Sequence, residues 1–79
     1  MTLTTGAQLK AARALAGIEQ EELARAAGVS PNTISRIERI RGEFGASVDT
    51  VRRLERALEA AGVVFTARGV EMREREQVV

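Results

Sequence analysis

The sequence predicts a mainly helical fold: four short helices followed by a C-terminal β-hairpin. Three observations carry this expectation. Apolar residues recur at helical spacing in four stretches, centred near Leu9, Leu23, Ile34 and Leu54. Gly17, Gly28, the Ser30-Pro31 pair and Gly62 fall where those stretches end or restart, and glycine and Ser-Pro are the residue types that stop and start helices. After Gly62 the pattern changes to β-branched residues and then to alternation of apolar with charged ones.

Taken in order, Met1 to Thr4 reads as a loose lead-in. Thr5 is placed to cap a first helix over Gly6–Ala16, with Leu9, Ala12 and Ala16 facing inward and Leu15 on the flank; Gly17 stops it. A second helix, Gln20–Ala27, offers Leu23, Ala24 and Ala27 to a core. Glu19, Glu21 and Glu22 crowd its N-terminus, where acids suit the helix dipole. Gly28 ends it, because glycine adopts the left-handed conformation without steric cost. Val29 then folds back, Ser30 caps, and Pro31 opens a third helix to Ile40, with Ile34 and Ile37 on its buried side. Two helices joined by so short a turn must cross steeply, which is a helix-turn-helix unit. Arg41 to Ala46 holds two glycines and no period, so it is a loop. Ser47 caps a fourth helix carrying Val48, Val51, Leu54, Leu58 and Ala61, stopped by Gly62. Val63 to Thr66, a turn at Ala67-Arg68-Gly69, and Val70 to Arg73 read as a hairpin; Glu74 to Val79 read as frayed. The chain therefore divides into a helical domain, residues 1–62, and a short β-like tail, residues 63–79.

Composition narrows the chemistry. A chain of 79 residues supports one domain and one modest core. It has no Trp or Tyr and two Phe, so that core is aliphatic. Cysteine and histidine are absent, which removes disulfides, thiolate or imidazole metal sites and the commonest general base. No nucleophile–base pair, phosphate-cradling glycine loop or metal-ligand cluster is visible, so neither an enzyme nor a cofactor is expected. No apolar run reaches membrane-spanning length and no signal peptide is visible at the N-terminus. A cytoplasmic, prokaryotic or phage-like protein is the simplest reading. The net charge is only +1, but charge is unevenly placed. From Ser30 to Arg41, Arg36, Arg39 and Arg41 face one acid, Glu38, while the acids gather at Glu19, Glu21, Glu22 and the C-terminus.

The third helix carries the candidate site. At about 100° per residue, Asn32, Arg36 and Arg39 fall on the face opposite Ile34, with Thr33 and Ser35 on its flanks. Arginine can bond guanine O6 and N7 with two donors, asparagine can do the same with adenine N6 and N7, and Pro31 can touch a thymine methyl. Taken alone, the same face also fits a solvated polar surface. Glu38 lies at the edge of the apolar stripe, where an unpaired carboxylate is costly. Arg13 holds the equivalent offset from Leu9 on the first helix. A partly buried Arg13–Glu38 pair that clamps the first helix to the third follows, with a weak surface pair as the alternative.

Leu9, Arg13, Gly17, Gln20, Leu23, Ala24, Gly28, Val29, Ser30, Ile34, Ile37 and Glu38 together resemble, in register and without a gap, the lambda-repressor-like (Xre/Cro) family of helix-turn-helix regulators. The resemblance spans roughly Leu9 to Leu58. It implies a sequence-specific DNA-binding regulator on a lambda-repressor-like bundle, with helix 3 in the major groove. It implies that Gln20 bonds a phosphate and braces helix 3, that Ser30, Pro31, Asn32 and Arg36 face the groove or its edge, and that Arg13 and Glu38 form the family's structural pair. Arg41 and the loop through Ser47 match the segment that meets the opposite phosphate wall. The resulting expectation is that Pro31, Asn32, Thr33, Ser35 and Arg36 read bases, while Gln20, Ser30, Arg39, Arg41 and Ser47 hold phosphates. Three departures stand out: Glu19 replaces a small cap, Pro31 replaces a position that is often polar, and a short tail stands where a fifth, dimerising helix is common.

The tail has two readings. Val63, Phe65, Val70 and Met72 either fold back on the fourth helix or pair with a second chain. A lone hairpin is marginal and leaves open edges, which favours a homodimer reading a palindrome as a repressor. The alternative function is a protein-interaction module on the same fold, an antitoxin or antiactivator capturing another regulator, which the near-neutral total charge permits.

Overall fold

A computed structural model of the chain describes residues 3–66 and 69–72. Among these residues the order is α1 (Gly6–Ala16), α2 (Gln20–Ala27), α3 (Pro31–Arg39), α4 (Val48–Ala60), β1 (Val63–Thr66) and β2 (Gly69–Met72). The fold is mainly helical, with a two-stranded antiparallel sheet at its C-terminal side. No helix among the described residues is long and apolar enough to cross a membrane. Met1, Thr2, the turn residues Ala67 and Arg68, and Arg73 to Val79, for which a loose start, a turn, a strand end and fraying were expected, lie outside the described residues.

Local signals set the helix ends. Thr5 caps α1 by accepting the Gln8 N–H at 3.1 Å, and the Gln8 side chain returns a bond to the Thr5 N–H at 3.0 Å. Ser47 caps α4 by accepting the Thr50 N–H at 3.1 Å. The core is aliphatic throughout: Leu3, Leu9, Ala12, Leu23, Ala24, Ala27, Ile34, Ile37, Val51, Leu54, Leu58 and Val63 are buried, with Phe44 and Phe65 packed at its margin.

Four expectations change. The lead-in is not loose, since Leu3 is fully buried, its N–H donates to Glu55 Oε2 at 3.0 Å, and the Thr4 carbonyl accepts the Phe44 N–H at 3.0 Å. Val48 is 64% exposed, because it lies about 120° from Leu54 around the helix and only Val51, Leu54 and Leu58 share the inward stripe. Helix α3 ends at Arg39, one residue earlier than expected, and Ile40 becomes its C-cap. Ala61 is likewise exposed, because α4 ends at Ala60.

The hairpin pairs Val63 with Met72, Val64 with Glu71, Phe65 with Val70 and Thr66 with Gly69, so β2 begins one residue earlier than the alternation suggested. The chain reverses at Gly62, directly after α4, and brings the apolar face of β1 back over its own helices. Val63 is buried there, and Phe65 and Val70 pack against the same core. Of the two readings of the tail, these three side chains are seen packed on the chain's own core. Met72 and Val64 remain 40% exposed.

Candidate nucleic-acid interface

The turn between α2 and α3 is built by backbone chemistry. Gly28 takes φ 71°, which lets the Val29 N–H reach back to the Ala24 carbonyl at 3.0 Å. Val29 thereby packs against the core. Ser30 follows at once, its Oγ accepting the Asn32 N–H at 3.1 Å, and Pro31 fills the first helical position. From α4, Arg53 donates through Nη1 to the Gly28 carbonyl at 3.4 Å and through Nε to Asp49 Oδ2 at 2.9 Å, tying the turn to a third helix.

One face of α3 is left to solvent. Pro31, Asn32, Arg36 and Arg39 are exposed, and Thr33 and Ser35 are half-buried beside them. The side chains of Asn32, Arg36 and Arg41 make no hydrogen bond or ion pair among the described residues. Arg39 lies along the helix, its Nε donating to the Ser35 carbonyl at 3.3 Å. The first turn of α3 has little backbone to offer an anion: Pro31 has no N–H, the Asn32 N–H goes to Ser30 Oγ, and the Thr33 N–H goes to the Ser30 carbonyl at 3.0 Å.

Behind that face sits a charged network. Arg13 meets Glu38 through two parallel bonds, Nε to Oε2 at 2.7 Å and Nη2 to Oε1 at 2.9 Å. The Gln20 amide donates to Glu38 Oε1 at 3.0 Å, and Arg13 Nη1 donates to the Ile18 carbonyl at 3.0 Å. The side chains are 14% and 5% exposed for Arg13 and Glu38, so the pair is largely desolvated and has the short, bidentate form that makes such contacts strong. One carboxylate thus joins α1, the start of α2 and the end of α3. Burial presses the Glu38 carboxyl upward. The hydrogen bonds from Arg13 and Gln20, with the charges of Arg13 and Lys10, outweigh it and hold the group below its usual 4.5. The hydrogen bond to Glu38 raises Arg13 in turn, against burial and with help from the charges of Glu38 and Glu19.

The residues expected to hold phosphates are placed unequally. Gln20 spends one amide hydrogen on Glu38 and keeps a second. Ser30 is exposed, and its Oγ, while accepting at the cap, still carries a hydroxyl hydrogen. The Ser47 hydroxyl is engaged with Thr50 Oγ1 at 3.0 Å, so that position offers the first turn of α4 more than its side chain. Around Gln20, the residues Arg13, Glu19, Glu21, Glu22 and Arg25 line an open groove whose border is rich in carboxylates.

Some contributors carry no sequence signal. Gly6 is buried, and a Cβ added to it would meet the Ile37 carbonyl and Glu38 Cα, so α1 starts in close contact with the end of α3. Arg53 reads in the sequence as one of several exposed arginines on α4. Nothing in residue type or spacing separates either from its neighbours.

A family model for helix-turn-helix proteins matches residues 9–61. No curated protein matches the chain.

Proposed function

The chain belongs to the lambda-repressor-like (Xre/Cro) helix-turn-helix family of DNA-binding regulators, and from that premise we propose that it is a homodimeric repressor reading a palindromic operator through α3 in the major groove. The observation that carries this reading is the state of Asn32 and Arg36. Both are exposed, they stand at i, i+4 on one face, and neither side chain has a partner within the described residues. They project from a helix whose end is clamped by Arg13, Gln20 and Glu38. In the proposed complex Arg36 and Asn32 take base edges with two bonds each, and Pro31, Thr33 and Ser35 complete the reading surface. Gln20, Ser30, Arg39, Arg41 and the start of α4 at Ser47 hold phosphates and set the register without reading sequence.

The dimer uses what the hairpin does not bury: its strand edges, with Met72 and Val64 beside them. Two copies set the recognition helices about one helical turn of DNA apart, roughly 34–36 Å. A bound dimer represses by occupying the promoter.

Selection of sites from random duplex DNA, with the winner titrated at two salt concentrations, tests this. The expected winner is a palindrome, and log affinity should fall with log salt by about 0.9 for each phosphate neutralised. Sedimentation of the free protein at micromolar concentration should give a dimer. Arg36→Ala should lower affinity for the winner by about tenfold more than for a scrambled site, within the roughly 1–3 kcal/mol that a bidentate base contact is worth. Gln20→Ala should weaken both sites by the same factor. An equal loss on both sites for Arg36→Ala would remove it from the reading surface.

A second reading has one observation in its favour. Glu19, Glu21 and Glu22 are exposed around the groove where Gln20 would meet a phosphate. If no duplex is enriched and every duplex binds weakly, that acidic border favours capture of another protein.

A further inference from the structure

The residues ahead of the family-matched segment form a strap that reaches three parts of the fold. Leu3 is buried in the core and its N–H donates to Glu55 Oε2 on α4 at 3.0 Å. The Thr4 carbonyl accepts the Phe44 N–H at 3.0 Å, and Thr5 forms an antiparallel bridge with Glu43. The Thr4 and Thr5 N–H groups both donate to Gln8 Oε1, at 2.8 and 3.0 Å. Gly6 then lies against the Ile37 carbonyl. All of this precedes residue 9, where the family match begins.

The loop on the other side of these bonds has little else to hold it. It joins α3 to α4 over residues 40–47 and contains Gly42 and Gly45. Phe44 is its half-buried anchor, while Arg41, Gly42, Glu43, Gly45 and Ala46 are exposed. Between strap, loop and the start of α4 runs an open cleft of about 170 Å³ whose lining includes Leu3, Phe44, Val48 and Val51. Backbone bonds to the strap therefore order it together with the half-buried Ile40 and Phe44.

We propose that the Leu3–Thr5 strap, anchored by Glu55, is a positioning element for DNA binding: it holds the Arg41–Ser47 loop where that loop meets a phosphate. Glu55 touches no DNA in this scheme. It acts through the Leu3 N–H, the strap bonds the loop, and the loop places Arg41. The inference rests on the proposed reading of Arg41 as a phosphate contact.

The test compares Glu55→Ala, Arg41→Ala and the double variant with the parent, using the 79-residue chain and the selected duplex. Leu3→Ala serves as a second strap variant, read at conditions where circular dichroism shows it folded. Amide hydrogen exchange comes first and needs no DNA. The Phe44 amide should exchange at least tenfold faster in Glu55→Ala, while the Ile37 and Leu58 amides keep the parent rate. Affinity should then fall by the same factor for operator and scrambled duplex. The salt slope should decrease by about 0.9 per half-site, the value for one lost phosphate contact. Arg41→Ala should give the same slope, and the double variant should add nothing further. A protected Phe44 amide in both strap variants overturns the strap–loop coupling. A freed amide with the parent slope, or additive losses in the double variant, overturns the link from loop to phosphate. Failure of the parent to bind any duplex overturns both this inference and the regulator reading, and it is distinguished by the parent titration alone.

Discussion

Glu38→Ala is expected to lower the unfolding free energy by about 3–5 kcal/mol, the cost of removing one partner from a desolvated ion pair. The size follows from what is left behind. Arg13 is 14% exposed and would keep its charge with only the Ile18 carbonyl to satisfy it, and Gln20 would lose its acceptor. Domains of this length have a total stability of roughly 4–12 kcal/mol, so the variant should unfold at much lower urea. Urea titration followed by circular dichroism measures this directly. A paired variant, Arg13→Met with Glu38→Leu, should recover most of the loss, because removing both charges also removes the desolvation penalty. Loss of less than about 1 kcal/mol in the single variant would place the contact among ordinary surface pairs.

The same pair sets a pH dependence. The Glu38 carboxyl titrates below its unfolded value of 4.5 in the folded chain. A group of that kind adds stability above the unfolded value, and the contribution is lost as pH falls through the folded one. The difference in urea midpoint between parent and Glu38→Ala should therefore be full at pH 7 and narrow steadily below pH 4.5. A gap that stays constant down to pH 2 would show that the carboxylate charge is not what stabilises the contact.

Gly6→Ala is expected to cost about 3 kcal/mol, the upper end of the range for overpacking. Alanine normally helps a helix by up to about 1 kcal/mol over glycine, so the sign itself is informative. At Gly6 an added Cβ would overlap the Ile37 carbonyl and press on Glu38 Cα, and neither neighbour is a side chain that can rotate away. Relief requires α1 to move off the end of α3, which also stretches the Arg13–Glu38 bonds. DNA affinity should fall with stability. Gly17→Ala is the matched control: it has open space around it but a φ of 69°, so it should cost only the roughly 1–2 kcal/mol of left-handed strain. Thermal unfolding of the two variants gives the order, and a larger loss at Gly17 would mean that α1 yields readily at Gly6.

The helices, most of their caps and the pairing of Arg13 with Glu38 were legible in residue type and spacing. Thr5, Gly17, Gly28, Ser30, Pro31 and Ser47 act through bonds to residues at most five positions away, so their meaning is local and readable from residue type. Arg13 and Glu38 were legible for a related reason: helical periodicity puts a charge at the edge of each apolar stripe, where an unpaired one is costly. The exposed row Asn32, Arg36 and Arg39 follows from the same periodicity.

Tertiary structure alone decided the rest. Leu3 gave no period to read, yet it is buried, because the space it fills exists only after α4 has packed. Val48 matched the apolar spacing but fell outside the contact, since the inward stripe depends on which neighbour α4 meets and not on α4 itself. Val63, Phe65 and Val70 suited a partner chain or this one, and after the reversal at Gly62 they pack on this chain's own core. Gly6 and the strap ahead of it belong with these. Their contacts join residues more than thirty positions apart, and no pattern within a helix or strand can encode an approach between two pieces of chain that meet only when the core closes.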